Sequence, residues 1–482
     1  MKTTDLHDFL ELDALPLERE RRGGGDGRVL FVSLNPDLTT DFGHFLNYER
    51  RLKECCEAAG AAYACFAHQR VQVDFPDVKS VFPSDSGYYS LTRSGALAAR
   101  GAIVDEFWRA VDGALADLRS RARHDRVVLF LYCGSSMLAT SLAERPWAAD
   151  VDVVVNAFWD FLLPARTGYD HVARLAFQQR VRLLAMSELH GDEIFRDTGL
   201  RFEAIANPPP LMGDLEAREE LRRHGGVASR PSAADLTLLV PGLMTSGKGK
   251  EPTLELYRHA CASGRPGLRF VFRDRDRALG TERPATVEVL AGDLTDAQVK
   301  AAYRRADATL IPYGAPTFRV RTSGALVDCL CFGAVPLVVR GTWLADACER
   351  HDFGVVMDDA EPATVLRALE ALRGRLPQER ARLFRGAVHY LARHSWSRLF
   401  EIIARPAPAP SFVTAGATTA RPPSVSLLAE ANRLVRAGDY RTAARLFEWL
   451  ARDSDLDLYR RNIELCARRS GIAAAELLAE RP

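Results

Sequence analysis

The chain has 482 residues, which is too many for one hydrophobic core, so two or three domains are expected. Its 64 Lys and Arg residues are offset by 63 Asp and Glu residues, and the net charge of +1 excludes a global field that would attract nucleic acid or an anionic membrane. Residues 1–15 lack the apolar run of a signal peptide, and the most apolar stretch, 325–339, is shorter than the ~20 residues of a transmembrane segment. We therefore expect a cytoplasmic protein, either free or peripheral at the inner membrane.

The nine cysteines contain no CxxC pair, and no His/Cys cluster has the spacing of a zinc site, so no metal is expected. Cys329 and Cys331 lie inside an apolar run, which predicts buried free thiols. This pattern fits a reducing compartment.

The N-terminal half alternates between strand-like and helical patterns. Residues 1–27 are polar and end in a glycine-rich run that predicts a flexible lead-in. A strand at 29–34 feeds a helix that begins at Phe42, which is the opening unit of a doubly wound α/β domain. We predict such a domain over residues 28–207. Its further strands are predicted at 64–67, 127–132, 151–155 and 182–186, and its further helices at 101–121 and 169–180.

A second domain is predicted after Asn207. Three consecutive prolines follow this residue and cannot continue a helix, so a stiff connection is expected there. The alternation then resumes, and it predicts a second doubly wound domain over 208–404 that ends in helices from residue 375. Its strands are predicted at 236–240, 268–272, 287–290, 308–311 and 335–339. The predicted fold class is α/β, with two Rossmann-like domains.

A small α-helical module is predicted at the C-terminus. Residues 405–423 contain five prolines and no periodicity, as in a linker. Within 424–482 two helical stripes flank a turn at 438–440, and a third helix is predicted at 456–469. These spacings match one tetratricopeptide unit, so we expect an interaction or dimerisation module for a protein partner. The stripes consist of Leu427, Ala431 and Leu434, and of Ala443, Phe447 and Leu450.

A glycine-rich loop follows the strand at 236–240. Residues 241–250 read PGLMTSGKGK and lead into a helix. Glycines let backbone amides approach an anion, the helix start adds a positive dipole end, and Lys248 supplies a full charge beside Gly249. A diphosphate suits this loop. The alternative is a solvated turn with two surface lysines.

A second loop of this kind follows the strand at 308–311. Its two arginines can bind phosphate oxygens in a bidentate manner, and the residues after them can offer hydroxyls and amides at a helix start. The alternative is that the arginines form surface ion pairs. One turn into that helix, Asp328 stands in an apolar run, where a carboxylate needs a partner or a ligand such as a ribose. The loop residues are Arg319, Arg321, Thr322, Ser323 and Gly324.

From residue 306 to about 359 the chain resembles the donor-binding half of retaining glycosyltransferases, particularly glycosyltransferase family 4. Asp328 falls where that family places the second glutamate of its paired-glutamate motif, and Lys248-Gly249 resembles the family's phosphate-binding Lys-Gly. The segment at Asn207 resembles its interdomain Pro-Asn-Pro, and Gly43 resembles its acceptor-domain glycine loop. Further matches are Ala306-Asp307, Leu310, Pro312, Gly333, Pro336, Leu337, Val338 and Val339.

The resemblance implies a two-domain GT-B enzyme, of hexosyltransferase type, that moves a sugar from a UDP- or GDP-linked donor to an acceptor hydroxyl with retention. The acceptor class stays open between a glycan such as a surface polysaccharide, a lipid-linked glycan and a protein. The donor would bind the C-terminal domain, its diphosphate at Lys248, Gly249 and the loop 319–324, and its ribose at Asp328. The acceptor would bind the N-terminal domain. No cofactor other than the nucleotide-sugar co-substrate, and no metal ion, is implied.

Arg321, Asp328 and His44 are the predicted catalytic residues. Arg321 would stabilise the departing diphosphate, and His44 would bind the acceptor or the donor sugar unless it only caps its helix. Asp160 is a further candidate for orienting an acceptor hydroxyl, against the alternative of a solvated loop acid. All of this depends on the two loops converging, so that Lys248 and Arg321 grip one pyrophosphate.

The chain departs from the family pattern in two places. Val320 occupies the position of the first paired glutamate. The arginine that usually precedes Lys-Gly is absent, since Leu243 and Met244 stand in that region, and Arg319 or Arg321 is expected to replace its charge. These departures leave open a catalytically inactive relic that acts as a binding module.

A nucleotide hydrolase is the other alternative. Residues 242–248 nearly match the GxxxxGK[ST] phosphate loop and follow a strand, but Gly249 stands where the magnesium-binding hydroxyl is required.

Overall fold

The computed structural model describes residues 28–40, 44–83, 97–134, 147–157, 181–198, 202–225, 235–242, 246–275 and 277–406, and residues 435, 440, 443–444, 447 and 457–473 of the C-terminal segment. The predicted lead-in, nearly all of the linker, the helix at 169–180 and the first C-terminal stripe lie outside these residues.

The strands predicted from apolar runs are present: those at 236–240, 308–311 and 335–339 have the predicted bounds, six others are one to three residues longer, and one is shifted by one residue. Three more strands are short and have only one buried residue or none: β3, β7 and β13. In order, the strands are β1 (Val29–Asn35), β2 (Ala62–His68), β3 (Val78–Phe82), β4 (Arg126–Gly134), β5 (Val151–Ala157), β6 (Val181–Ala185), β7 (Glu203–Ala204), β8 (Leu236–Val240), β9 (Leu268–Asp274), β10 (Val287–Ala291), β11 (Ala308–Ile311), β12 (Val335–Val339) and β13 (Val355–Met357).

Helices lie between most of the strands. Several begin at the residues that local chemistry favours: the Thr295 hydroxyl accepts from the amide of Gln298 in a capping box, and Thr342 and Ser395 cap the helices after them. A 3₁₀ turn covers Ser246–Lys248. The helices are α1 (His44–Ala58), α2 (Leu97–Arg121), α3 (Glu188–Thr198), α4 (Asp214–Gly225), α5 (Lys250–Ser263), α6 (Asp296–Arg305), α7 (Ala315–Phe318), α8 (Gly324–Cys331), α9 (Trp343–Arg350), α10 (Pro362–Arg373), α11 (Leu376–Arg393), α12 (Trp396–Ala404) and α13 (Asp457–Ser470).

The strands form two sheets. The first has the order β3-β2-β1-β4-β5-β6-β7 and the second β10-β9-β8-β11-β12-β13. In the second sheet every pairing is parallel, and its central strands β8, β11 and β12 are apolar because helices cover both faces. In both sheets the chain winds outward one way and then the other, which confirms the predicted doubly wound α/β class.

The chain divides into two compact units. The first consists of Met1–Val81, Arg119–Asp125 and Ile205–Arg405, and the second of Phe82–Leu118, Arg126–Ala204 and Pro406–Pro482. The second sheet lies wholly in the first unit, together with β1, β2 and α1. The predicted domain limits, 28–207 and 208–404, stay predictions.

The proline-rich connection after Asn207 is held by the end of α11 and the start of α12. The Tyr390 hydroxyl donates to the carbonyl of Asn207 at 3.3 Å, and the Asn207 amide donates to Nδ1 of His394 at 3.3 Å. The Trp396 indole donates to the carbonyls of Pro209 and Met212 at 3.1 and 2.9 Å. These bonds fix a segment that has few backbone bonds of its own.

In the C-terminal segment, Ala443, Ala444 and Phe447 are helical and buried, and α13 confirms the predicted third helix. The assignment to a tetratricopeptide unit stays a prediction. The prediction of buried free thiols is confirmed at Cys329 and Cys331. Over the residues the structure describes, no helix has both the length and the apolarity needed to cross a bilayer.

Candidate functional site

The second sheet has its topological switch point between β8 and β11. From β8 the chain proceeds to β9 and β10 on one side, whereas β11, β12 and β13 follow on the other. The loops that leave the carboxyl ends of β8 and β11 therefore diverge and open a crevice, which is where open α/β sheets bind ligands. The two loops predicted to bind phosphate are these two loops.

The structure brings the loops into contact. Gly249, at the start of α5, has φ of +74°, and a Cβ there would overlap the carbonyl oxygen of Pro312 in the other loop. A Cβ on Gly247 would meet Cγ2 of Thr317 at 3.2 Å, and one on Gly242 would meet the Tyr313 hydroxyl at 3.5 Å. The predicted convergence of the loops is confirmed, and it depends on glycine at position 249.

Lys248 lies in this crevice. Burial, together with the positive charges of Arg321 and Arg273, lowers the pKa of its ammonium group to about 8. Both arginines therefore lie near enough to repel the charge of Lys248. Within the part of the chain that the structure describes, Lys248 has no hydrogen bond and no carboxylate partner. We call Lys248, Arg273 and Arg321 the cation cluster.

Arg321 is positioned by two aromatic rings. Its guanidinium lies 5.1 Å from the centre of the Phe318 ring, which in turn contacts Tyr313 at 4.2 Å. The buried Tyr313 hydroxyl is hydrogen-bonded to Ser323, and burial raises the pKa of this phenol, although Ser323 and the nearby arginines oppose the rise. The Tyr313 and Phe318 rings therefore pack against each other and support Arg321.

The helix start beyond Arg321 is partly exposed. Ser323 is the N-cap of α8, but its side chain makes no capping bond, because its hydroxyl contacts Tyr313 instead. Thr322 and Gly324 are partly exposed, and a Cβ on Gly324 would come within 2.5 Å of Pro210. Arg319 is exposed. The amides at this helix start suit an anion.

Asp328 is buried in α8 and finds its partner in the proline-rich connection. Its Oδ1 accepts from the Leu211 amide at 3.4 Å, and burial raises the pKa of the carboxyl well above its usual range. Asp296 raises this pKa further, and Lys300 opposes it. The buried carboxylate therefore has the partner that the sequence required, and its contact with a ribose stays a prediction.

Asp307, another residue of the family resemblance, links two strands of the second sheet. The Asp307 carboxylate accepts from the Thr237 amide at 2.8 Å and pairs with Arg380 on α11, so it anchors the starts of two central strands. Buried Asn156 donates to the Tyr132 carbonyl at 2.9 Å. His44 is the first residue of α1, but its side chain lies outside the described residues, as do Gly43 and Asp160.

Arg273 is the site residue that sequence reasoning missed. It lies at the carboxyl end of β9, one residue beyond the predicted strand. The sequence shows a charged residue at the end of an apolar strand. Only the strand order, with β9 beside β8, places that residue at the crevice. Among the described residues, no group of three or more His, Cys, Asp or Glu could hold a metal ion.

No protein-family model matches the chain, and no curated protein matches its sequence. Solved structures match its fold. Sucrose-phosphate synthase from Thermosynechococcus elongatus aligns with a TM-score of 0.50 and 12% identity over 78% of this chain and 98% of its own. Anabaena Alr3699/HepE in complex with UDP gives a TM-score of 0.50 and 12% identity over the same shares, 78% and 98%. The N-terminal domain of trehalose-6-phosphate phosphatase from Candida albicans aligns with a TM-score of 0.52 and 9% identity over 81% of this chain and 98% of its own.

Identities this low establish the fold and not the activity. The match nevertheless runs along nearly the whole of each solved chain. The two doubly wound sheets and these matches together show that this chain has the two-domain GT-B fold, with a helical segment added at its C-terminus.

Proposed function

We propose that this chain is a glycosyltransferase that moves a sugar from a nucleotide-sugar donor to an acceptor hydroxyl. The observation that carries the proposal is the cation cluster at the switch point, where Lys248 lies beside Arg321 and Arg273 without a carboxylate partner among the described residues. Grouped charges that are partly withdrawn from water are costly unless an anion joins them. A diphosphate is the anion that fits this place.

The cluster suits the chemistry of sugar transfer. When the glycosidic bond to the donor breaks, the diphosphate leaves with increased negative charge. Fixed cations and helix-start amides interact more strongly with that charge than with the ground state, so they lower the barrier without a metal ion. Lys248 and Arg321 are the groups proposed to act in this way, with Thr322, Ser323 and Gly324 as hydrogen-bond donors.

Fold likeness supports the same class of donor. Alr3699/HepE, whose fold this chain shares, was solved in complex with UDP. We extend this to a UDP- or GDP-linked donor for this chain. Retention, the ribose contact of Asp328, the role of His44 and an acceptor bound by the N-terminal domain are parts of the proposal that come from the family resemblance. Cytoplasmic location is likewise proposed.

Donor hydrolysis and thermal shift test the proposal. UDP or GDP is expected to raise the melting temperature, and one nucleotide sugar is expected to be hydrolysed slowly without an acceptor. Arg321→Gln should lower that turnover by about 10²-fold, as for loss of one oxyanion donor. Arg269→Gln, which changes an exposed arginine on β9 outside the proposed site, is the matched control and should keep most of the activity.

Other results would point elsewhere. Stabilisation by no nucleotide at all would favour an inactive relic that works as a binding module. Magnesium-dependent ATP hydrolysis that is lost in Lys248→Ala would favour the nucleotide hydrolase. Equal turnover in Arg321→Gln and the unmodified chain would remove the proposed role of Arg321.

A further inference from the structure

Arg273 stands directly beside the loop that carries Lys248. β9 pairs with β8 in parallel register up to Phe272 opposite Val240, the last residue of β8. Arg273 is the next residue along β9, so it lies at the edge of the sheet from which the Lys248 loop departs. Its position is therefore fixed by strand pairing and not by a mobile loop.

Among the described residues, none accepts a hydrogen bond from Nε of Arg273. This nitrogen is buried. A buried N–H group without an acceptor is costly, and such groups need an explanation in a folded protein. Unlike a surface arginine, Arg273 is held where it interacts with Lys248 and the buried Tyr313.

The neighbouring carboxylates are already engaged. Asp274 accepts from the amides of Ala278 and Leu279 at 2.9 and 2.7 Å, so it shapes the loop after β9. Asp293 attracts Arg273 but forms an ion pair with Arg275 at 2.9 Å. The acceptor that Arg273 lacks is therefore not supplied by these carboxylates.

We propose that Arg273 is a third cationic contact of the donor, and that it binds the diphosphate together with Lys248 and Arg321. This inference rests on the proposed function. Arg273 lies at the end of β9, and Lys248 and Arg321 lie in the loops that follow β8 and β11. These three strands are neighbours in the sheet and span about 10 Å at the usual strand spacing. Two linked phosphates bridge such a row better than one, so the cluster selects a nucleoside diphosphate over the monophosphate.

Calorimetric titration of the full chain with UDP and UMP, and with GDP and GMP, tests the inference. Arg273→Gln should weaken diphosphate binding by roughly 10- to 100-fold, the usual effect of losing a charge-assisted hydrogen bond. Monophosphate binding should change much less. Arg269→Gln is the matched control, because Arg269 lies on the same strand but is exposed, opposite Thr237 near the far end of β8.

A pH profile separates contact from a structural role. Since Arg273 repels the Lys248 ammonium, Arg273→Gln should raise the pKa of Lys248 and move the pH midpoint of diphosphate binding upward. If Arg273→Gln does not fold, Arg273→Lys is the second variant, which keeps the charge but loses the planar guanidinium. It should still weaken the binding of the nucleoside diphosphate more than that of the monophosphate. Diphosphate affinity and pH midpoint that match the unmodified chain would overturn the inference and leave the proposed function standing. Absence of nucleotide binding by the unmodified chain would overturn the proposed function itself.

Discussion

At Lys248, burial and two neighbouring arginines lower the pKa of the ammonium group from 10.5 to about 8. The lysine is therefore charged at neutral pH but only by a narrow margin. An arriving diphosphate would favour the charged form and raise this pKa again. The other lysine of the same loop, Lys250, lies in the first turn of α5.

We expect diphosphate binding to weaken as the pH rises through about 8, because the unliganded chain then loses the proton that the complex retains. The affinity should fall by up to about tenfold for each pH unit above that midpoint. Titration calorimetry between about pH 7.5 and 9.5 measures this, since the terminal phosphate of the ligand is already fully ionised there.

Lys248→Met is the control for this pH dependence. This variant should bind the diphosphate more weakly than the unmodified chain at about pH 7.5, and its affinity should stay constant between about pH 7.5 and 9.5. Lys250→Met should keep the profile of the unmodified chain. A profile that is flat in the unmodified chain would contradict a role for Lys248 in binding.

At the scale of the elements, the loop after β8 depends on close packing against the loop after β11. Gly249 is in the left-handed region, and its carbonyl accepts from the Thr253 amide at 3.1 Å in the first turn of α5. No side chain fits between it and Pro312. The glycine thus serves both the start of the helix and the contact that closes the crevice.

Gly249→Ala is expected to lower the free energy of unfolding by more than about 2 kcal/mol, from the left-handed backbone plus the overlap with Pro312. It should also abolish detectable diphosphate binding, because the two loops must separate. Urea denaturation and calorimetry measure the two effects. Gly264→Ala is the matched control: this residue is left-handed at the other end of α5, and a Cβ there meets no atom within 4 Å. Equal losses in the two variants would show that the contact with Pro312 is unimportant.

The strands that the sequence predicted are those whose apolar runs are buried on both faces, such as β8, β11 and β12. The strands it missed, β3, β7 and β13, are the end strands of their sheets. An end strand is covered on fewer sides, so its sequence carries little hydrophobic pattern. The missed strands therefore share one physical cause.

The site shows the same limit. Lys248 and Arg321 were predicted because glycines and helix starts lie beside them in the sequence. Arg273 was not, since its place in the crevice follows from the pairing of β9 with β8, and pairing order is a long-range property. The partner of Asp328, the amide of Leu211, is also distant along the chain and could not be read from local pattern.

At the scale of the whole molecule, α12 links α1 to the proline-rich connection within the first compact unit. α12 packs on α1, with the Trp396 ring 5.0 Å from Tyr48 and Phe400 5.8 Å from Phe31. Asp214 accepts from the amides of Trp396 and Ser397. The proline-rich connection, α1 and α12 therefore meet at one residue, Trp396.

Trp396→Phe should keep most of the apolar contact but remove the indole N–H that two buried carbonyls, of Pro209 and Met212, share. Leaving buried acceptors unsatisfied costs about 1–3 kcal/mol, so the free energy of unfolding in urea should fall by that amount. Trp343→Phe is the matched control, because Trp343 is equally buried in α9 and makes no hydrogen bond to the connection. If the two variants lose the same stability, the loss comes from ring size alone and the indole bonds do not hold the connection. If only Trp396→Phe loses stability, the stiffness of the connection comes from α12 as well as from its prolines. Donor turnover should then fall in that variant, while its diphosphate affinity stays close to that of the unmodified chain.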